Sequence, residues 1–240
     1  MLLAMSQLPD YTIFPLGDAA LTIDFGNSID EAINQTVLAL FQSLKQTPLT
    51  GITELVPAYS SLTVYYDVLQ VRKGGPENKT AFDRLSSRIS EKLKEPLSIT
   101  VQAPEQVRIP VCYDPEFALD MDELSRLKKI SREEIIRIHC AREYTVYMLG
   151  FLPGFTYMAS VDEAISVPRK VNPRINVEAG SVGIAGYQTG IYPLPSPGGW
   201  QIIGRTPLHL FNAGIESFTL LKPGNKVQFY SISKDEFNSY

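Results

Sequence analysis

Cysteine and histidine are scarce in this chain: its 240 residues include two of each, Cys112, Cys140, His139 and His209. No CxxC, HExxH or carboxylate-rich loop surrounds them, so two reduced thiols and no metal site are expected. Charge of one sign is also lacking. Twenty-two Lys and Arg stand against 26 Asp and Glu, a formal net charge of −4, and no segment concentrates Lys and Arg in blocks. That argues against DNA or RNA as the main partner. Long hydrophobic runs are missing too. The longest, VYMLGFLPGFTYMA, falls short of the roughly 20 residues of a spanning helix and is broken by Gly150, Pro153 and Gly154. The opening MLLAMSQLPDY lacks a basic leader and a long enough apolar run for a signal peptide. The expectation is a soluble, cytoplasmic protein with no membrane partner.

What is present suffices for a folded core: 44% of the residues are apolar and 20% charged. YTIFPLGDAALTIDF, residues 11–25, alternates as two short strands turning at Leu16, Gly17 and Asp18. Ser28 with Glu31 reads as a capping box before a helix whose apolar face is Ile29, Ile33, Val37, Leu40, Phe41 and Leu44. Two further strands, Ile52 to Val56 and Leu62 to Tyr66, precede a second helix carrying Phe82, Leu85, Ile89 and Leu93. The sum, ββαββα, is an N-terminal α/β domain over residues 1–97. A seam at LSITVQAPEQV leads to a second domain over residues 105–240. There VRIPVCY is a strand, Asp120 with Glu123 starts a short helix through Lys128, and Ser131 with Glu134 caps another. From Tyr144 to Ser231 short β-like runs alternate with Gly and Pro, which predicts a barrel or sandwich and an α+β fold overall.

The glycine-rich stretch SVGIAGYQTGIYPLPSPGGWQIIGRTP, residues 181–207, lacks GxxxxGK[ST], so it is no phosphate loop. Its AGSVG resembles a nucleophile elbow at Ser181, but no acid stands between Ser181 and His209, and Glu216 follows the histidine. The glycines instead suit strands that bulge or let another group approach closely, and the prolines stiffen an exposed turn. Arg169 and Arg174, in PRKVNPR, are apt for a carboxylate or phosphate. Between Met148 and Ile232 six bases outnumber four acids, so an anionic ligand suits this half. GFLPGFTYM, residues 150–158, offers Phe151, Phe155 and Tyr157 as a core loop or as an apolar platform under a small ring. His139, in a helix, is either a core residue or a proton-transfer group.

His139, Tyr144 to Val146, GFLPGF, both PR dipeptides, AGSVGIAGYQTGIYP, SPGGW and IGRTP together resemble the allophanate hydrolase subunit 1 family. The branch of that family it resembles holds the B subunits of 5-oxoprolinases and sporulation-kinase inhibitors of the KipI type. Glu178 and Thr156 stand where relatives usually have proline. The resemblance implies a C-terminal cyclophilin-like β-barrel and opening of 5-oxo-L-proline to L-glutamate with ATP hydrolysis. ATP would be a co-substrate, bound with an allophanate hydrolase subunit 2-like companion and a LamB/YcsF-like companion. In the alternative role the chain blocks autophosphorylation of a sensor histidine kinase by contacting its dimerisation domain. On the enzyme reading His139, Arg169 and Arg174 are catalytic. Gln188, Tyr192, Phe155, Ser181 and Arg205 bind substrate. A carboxyl-transfer role on urea-type substrates stays open within the same family.

Overall fold

The computed structural model describes residues 2–4, 8–76, 78–94, 98–100, 104–214 and 218–240, with backbone alone at 2–4 and 98–100. The chain divides into two compact units, residues 1–103 and 104–240. Residues 97 and 101–103, within the expected seam, lie outside the described residues. Among the described residues no helix is long and apolar enough to cross a membrane.

The first unit runs β1 (Leu2–Ala4), β2 (Thr12–Pro15), β3 (Ala20–Asp24), α1 (Glu31–Gln46), β4 (Ile52–Pro57), β5 (Ser61–Tyr66), α2 (Val68–Arg72), α3 (Ala81–Lys94) and β6 (Ser98–Thr100). Strands β2, β3, β5 and β4 form an antiparallel sheet in that order. In β5, Leu62, Val64 and Tyr66 point into the core while Tyr65 is exposed, the two-residue period of a half-buried strand. Val37, Leu40 and Leu44 of α1 and Leu85, Ile89 and Leu93 of α3 cover that inner face. The start of α1 differs from the sequence reading. Asp30, not Ser28, is the N-cap, its Oδ1 accepting from the Ile33 amide at 2.9 Å. Ile29 therefore falls outside the helix and is exposed.

The second unit runs β7 (Gln106–Cys112), α4 (Met121–Lys128), α5 (Arg132–Ala141), β8 (Glu143–Leu149), β9 (Thr156–Ala159), a 3-10 turn (Glu163–Ile165), β10 (Arg174–Val177), β11 (Ser181–Ala185), β12 (Gln188–Ile191), β13 (Ser196–Gly198), β14 (Gln201–Arg205), β15 (Lys226–Ile232) and α6 (Lys234–Asn238). Seven strands close a barrel in the order β11-β12-β9-β8-β15-β7-β14. This decides between the two β architectures in favour of the barrel. Closure depends on β7 and β15, which pair in parallel from Gln106–Lys226 to Cys112–Ile232. Ile109, Val111, Val227 and Phe229 fill the interior with residues of the other strands. Ser131 caps α5 as expected, accepting from the Glu134 amide at 3.1 Å. Outside the barrel, β10 and β13 make a two-stranded ribbon.

Candidate active site

The turn before β9 and the segment after β13 meet over the edge of the barrel. Phe155 ends the GFLPGF turn and is buried, with Tyr192 and Trp200 standing almost perpendicular to it. Their ring centroids lie 5.0 and 5.4 Å from that of Phe155. Edge-to-face contact sets positive ring edges against a negative ring face, so the three rings hold one another at fixed angles. Tyr157 completes the group, 4.8 Å from Phe155 and 5.8 Å from Trp200. Two glycines permit this packing. A Cβ on Gly190 would lie 2.5 Å from the Thr156 carbonyl oxygen and 3.0 Å from the Trp200 ring. One on Gly198 would lie 2.4 Å from the Tyr192 hydroxyl. The glycines of this stretch thus serve close approach, as the sequence suggested.

The rings floor a cleft of about 230 Å³ whose rim includes Phe151, Arg169, Pro173 and Pro197. Among the described residues Arg169 is the one charged side chain lining it. Its guanidinium stands 5.8 Å from the Trp200 ring, a cation–π geometry, and makes no hydrogen bond or ion pair among the described residues. Burial raises the hydroxyl pKa values of Tyr157 and Tyr192, and the Arg169 charge acts against that rise in both. Both tyrosines are therefore neutral donors at physiological pH. The cleft offers flat apolar walls, phenolic groups and a single unpaired positive charge.

Arg174 does not share this cleft with Arg169. Its two terminal nitrogens donate to both carboxylate oxygens of Asp120, at 2.7 and 2.6 Å. Asp120 is 2% exposed. It also accepts from Lys170 Nζ at 2.8 Å and from the Ile202 amide at 2.7 Å. Burial by itself would raise its pKa, but the hydrogen bonds from Arg174, Lys170 and the Ile202 amide outweigh it and hold the carboxyl below its ordinary value. The two-arginine clamp expected from PRKVNPR is thereby corrected: one guanidinium faces the cleft and the other is neutralised. Asp120 reads from sequence as a helix start, yet its side chain makes no capping hydrogen bond. No local pattern marks its partners, which lie 50, 54 and 82 positions away.

His139 is also placed elsewhere. It is fully buried inside the barrel, stacked on Phe229 at 4.6 Å. Nδ1 lies 2.8 Å from the Tyr113 hydroxyl, and Nε2 lies 3.1 Å from Thr189 Oγ1. Thr189 Oγ1 donates to the Gly183 carbonyl at 3.1 Å, so it accepts from His139 Nε2–H, and Nδ1 accepts from Tyr113. Burial lowers the imidazole pKa to about 3. His139 is a neutral core histidine, and the proton-transfer role beside the arginines is not the one its position allows. Of the expected substrate contacts, Phe155 and Tyr192 line the cleft. Ser181 lies in the barrel wall on β11, followed by strand where an elbow requires a helix, so the nucleophile reading fails. Gln188 opens β12 opposite Ala159, and Arg205 donates Nε to the Ala179 carbonyl at 2.7 Å. Neither lines the cleft. Glu216 lies outside the described residues. In the sequence Trp200 stands out only as part of SPGGW, and its place in the floor is a tertiary fact.

The family described as carboxyltransferase domain, subdomain C and D, matches residues 11–221. The B subunit of the 5-oxoprolinase of Bacillus subtilis (strain 168) is 43% identical over 96% of this chain and 96% of its own length. That of Escherichia coli O157:H7 is 34% identical over 89% of this chain and 93% of its own. Among solved structures, TTHA0988 is 35% identical with a TM-score of 0.76. It covers 89% of this chain, which spans only 40% of the TTHA0988 chain. The urea amidolyase of K. lactis shares the fold with a TM-score of 0.75 at 20% identity. It covers the whole of this chain, which spans 16% of the larger protein.

Proposed function

Since the chain belongs to the family of carboxyltransferase domains, subdomains C and D, and its relatives are named as 5-oxoprolinase B subunits, we propose that it is the component of a 5-oxoprolinase that holds the lactam substrate. The observation that carries this reading is the aromatic cleft with one unpaired guanidinium. 5-Oxo-L-proline is a small flat ring bearing one carboxylate. The walls of Phe155, Tyr192 and Trp200 suit the ring, and Arg169 suits the carboxylate. The reaction adds one water across the lactam C–N bond to give glutamate and consumes a second as ATP is cleaved to ADP and phosphate. Phosphorylation of the lactam oxygen opens the carbonyl carbon to water, and Tyr157 and Tyr192 can donate hydrogen bonds to the ring's polar edge.

Among the described residues the lining has a single cation and no lysine, which fits one carboxylate better than a triphosphate. ATP binding is therefore assigned to the companions, an allophanate hydrolase subunit 2-like chain and a LamB/YcsF-like chain. Val171 and Ile175, beside the cleft loop, are apolar yet 95% and 92% exposed, and we assign them to the surface a companion covers. Reconstitution of the three-component complex tests the reading through 5-oxoproline-dependent ADP release and glutamate formation. Arg169→Ala is expected to lower kcat/KM by roughly 10- to 100-fold, mostly through KM, because it removes a charge-assisted contact to bound substrate. Wild-type kinetics in that variant would remove Arg169 from the site. If the wild-type complex leaves 5-oxoproline intact but the chain blocks autophosphorylation of a sensor histidine kinase, the alternative role replaces this one.

A further inference from the structure

Arg169 sits on a loop with little regular structure, so something must fix where its guanidinium points. The residues around it are held on both sides. Before it, the Pro168 carbonyl accepts from Gln201 Nε2 at 3.3 Å. After it, the Lys170 amide donates to the Gly199 carbonyl at 2.7 Å, tying the loop to the segment that carries Trp200. Lys170 Nζ and the Arg174 guanidinium then converge on the Asp120 carboxylate. Asp120 in turn is bonded both ways to Ile202, two residues beyond Trp200: its amide donates to the Ile202 carbonyl at 2.8 Å, and its Oδ2 accepts from the Ile202 amide at 2.7 Å. One carboxylate thus joins the start of α4, the strand leading from the cleft floor, and the loop bearing the cleft's cation.

We propose that Asp120 is the positioning residue of the cleft: it anchors the Lys170 and Arg174 flanks so that Arg169 is left unpaired over Trp200, ready for a substrate carboxylate. The charge balance supports this. Asp120 and Glu123 offset Lys170 and Arg174, Glu123 lying 3.2 Å from Lys170 Nζ, so the positive charge left over in the loop is that of Arg169. Asp120 does not line the cleft, and its effect on substrate passes through Arg169. An ion pair held this way costs more to break than it gains when formed, because removal of the carboxylate leaves Arg174 half-buried without its partner. The released guanidinium of Arg174 and amine of Lys170 would then compete for the same carboxylate as Arg169, and the loop would lose its fixed geometry.

The part of the inference that concerns substrate rests on the 5-oxoprolinase reading, whereas the placement of Arg169 can be read without it. Trp200 is the chain's single tryptophan, so its emission reports on the cleft alone. In the full-length chain, Asp120→Asn is expected to shift Trp200 emission and raise its acrylamide quenching. Arg169→Ala should do the same, and the double variant should match Arg169→Ala. In the reconstituted complex, Asp120→Asn is expected to raise KM for 5-oxo-L-proline about tenfold with kcat within about twofold, and to add nothing to Arg169→Ala. Lys170→Met, which keeps the Asp120–Arg174 pair, should move KM and emission the same way by a smaller factor, and covers the case that Asp120→Asn folds poorly. Emission unchanged in both Asp120→Asn and Lys170→Met, or effects that add to those of Arg169→Ala, would overturn the proposal. A complex without oxoprolinase turnover would refute the functional reading while the fluorescence comparison still decides the placement.

Discussion

His139 shows how burial sets the chemistry of a single side chain. Its Nε2–H is spent on Thr189 and its Nδ1 accepts from Tyr113, and its complete burial disfavours the charged imidazolium. The unfolded chain takes up this proton near the ordinary value of 6.5, the folded chain only near about 3. Between those values the unfolded state binds more protons, so stability is complete above the upper one and falls with acid at about 1.4 kcal/mol per pH unit. Asp120 acts in the same direction at lower pH: its folded pKa is depressed, so its contribution is complete above the ordinary carboxylate value and is lost as pH falls from there through the folded one. Urea titrations across the acid range should give a flatter stability profile for His139→Gln than for the wild type above the Asp120 window. A parallel pair of profiles would show that the imidazole is not the group responsible. A histidine beside apolar neighbours at helical spacing was legible as core or catalyst. The stacking on Phe229 that decides between them comes from a residue 90 positions away.

At the level of elements, local rules located most helices and strands, and missed where two rules competed. Asp30 and Ser28 are both good caps, and the Ser28–Glu31 spacing favours the serine. In the structure the Asp30 carboxylate takes the Ile33 amide, which leaves Ile29 outside the helix and exposed. Asp30→Ala is therefore expected to destabilise the first unit by about 1 kcal/mol, and Ser28→Ala to leave it within a few tenths. Thermal denaturation of the two variants separates them, and the opposite ranking would restore the capping box. The short α2, capped by Asp67, escaped because Val68–Arg72 is too brief to show a period. In the cleft, GFLPGF announced a rigid aromatic turn, but the perpendicular triad of Phe155, Tyr192 and Trp200 joins residues up to 45 positions apart.

For the molecule as a whole, the second unit exists as a barrel only because its first and last strands meet. β15 pairs with β7 on one side and β8 on the other, so its removal leaves two open edges and exposes Ile109 and Val111. A chain ending at Asn225 should lose the cooperative unfolding of this unit and bind a hydrophobic dye, as measured by calorimetry and dye fluorescence. Retention of a sharp transition would mean that the barrel does not need its closing strand. The sequence by itself determined the amphipathic helices, the alternating strands, the absence of a phosphate loop and the stiff aromatic turn, because each depends on residues within one or two turns of chain. The tertiary structure alone decided that the sheet closes, that Arg174 is neutralised by Asp120 while Arg169 stays unpaired among the described residues, and that His139 is sealed in the core. Those outcomes depend on contacts between residues 50 to 120 positions apart, whose energies no local pattern encodes.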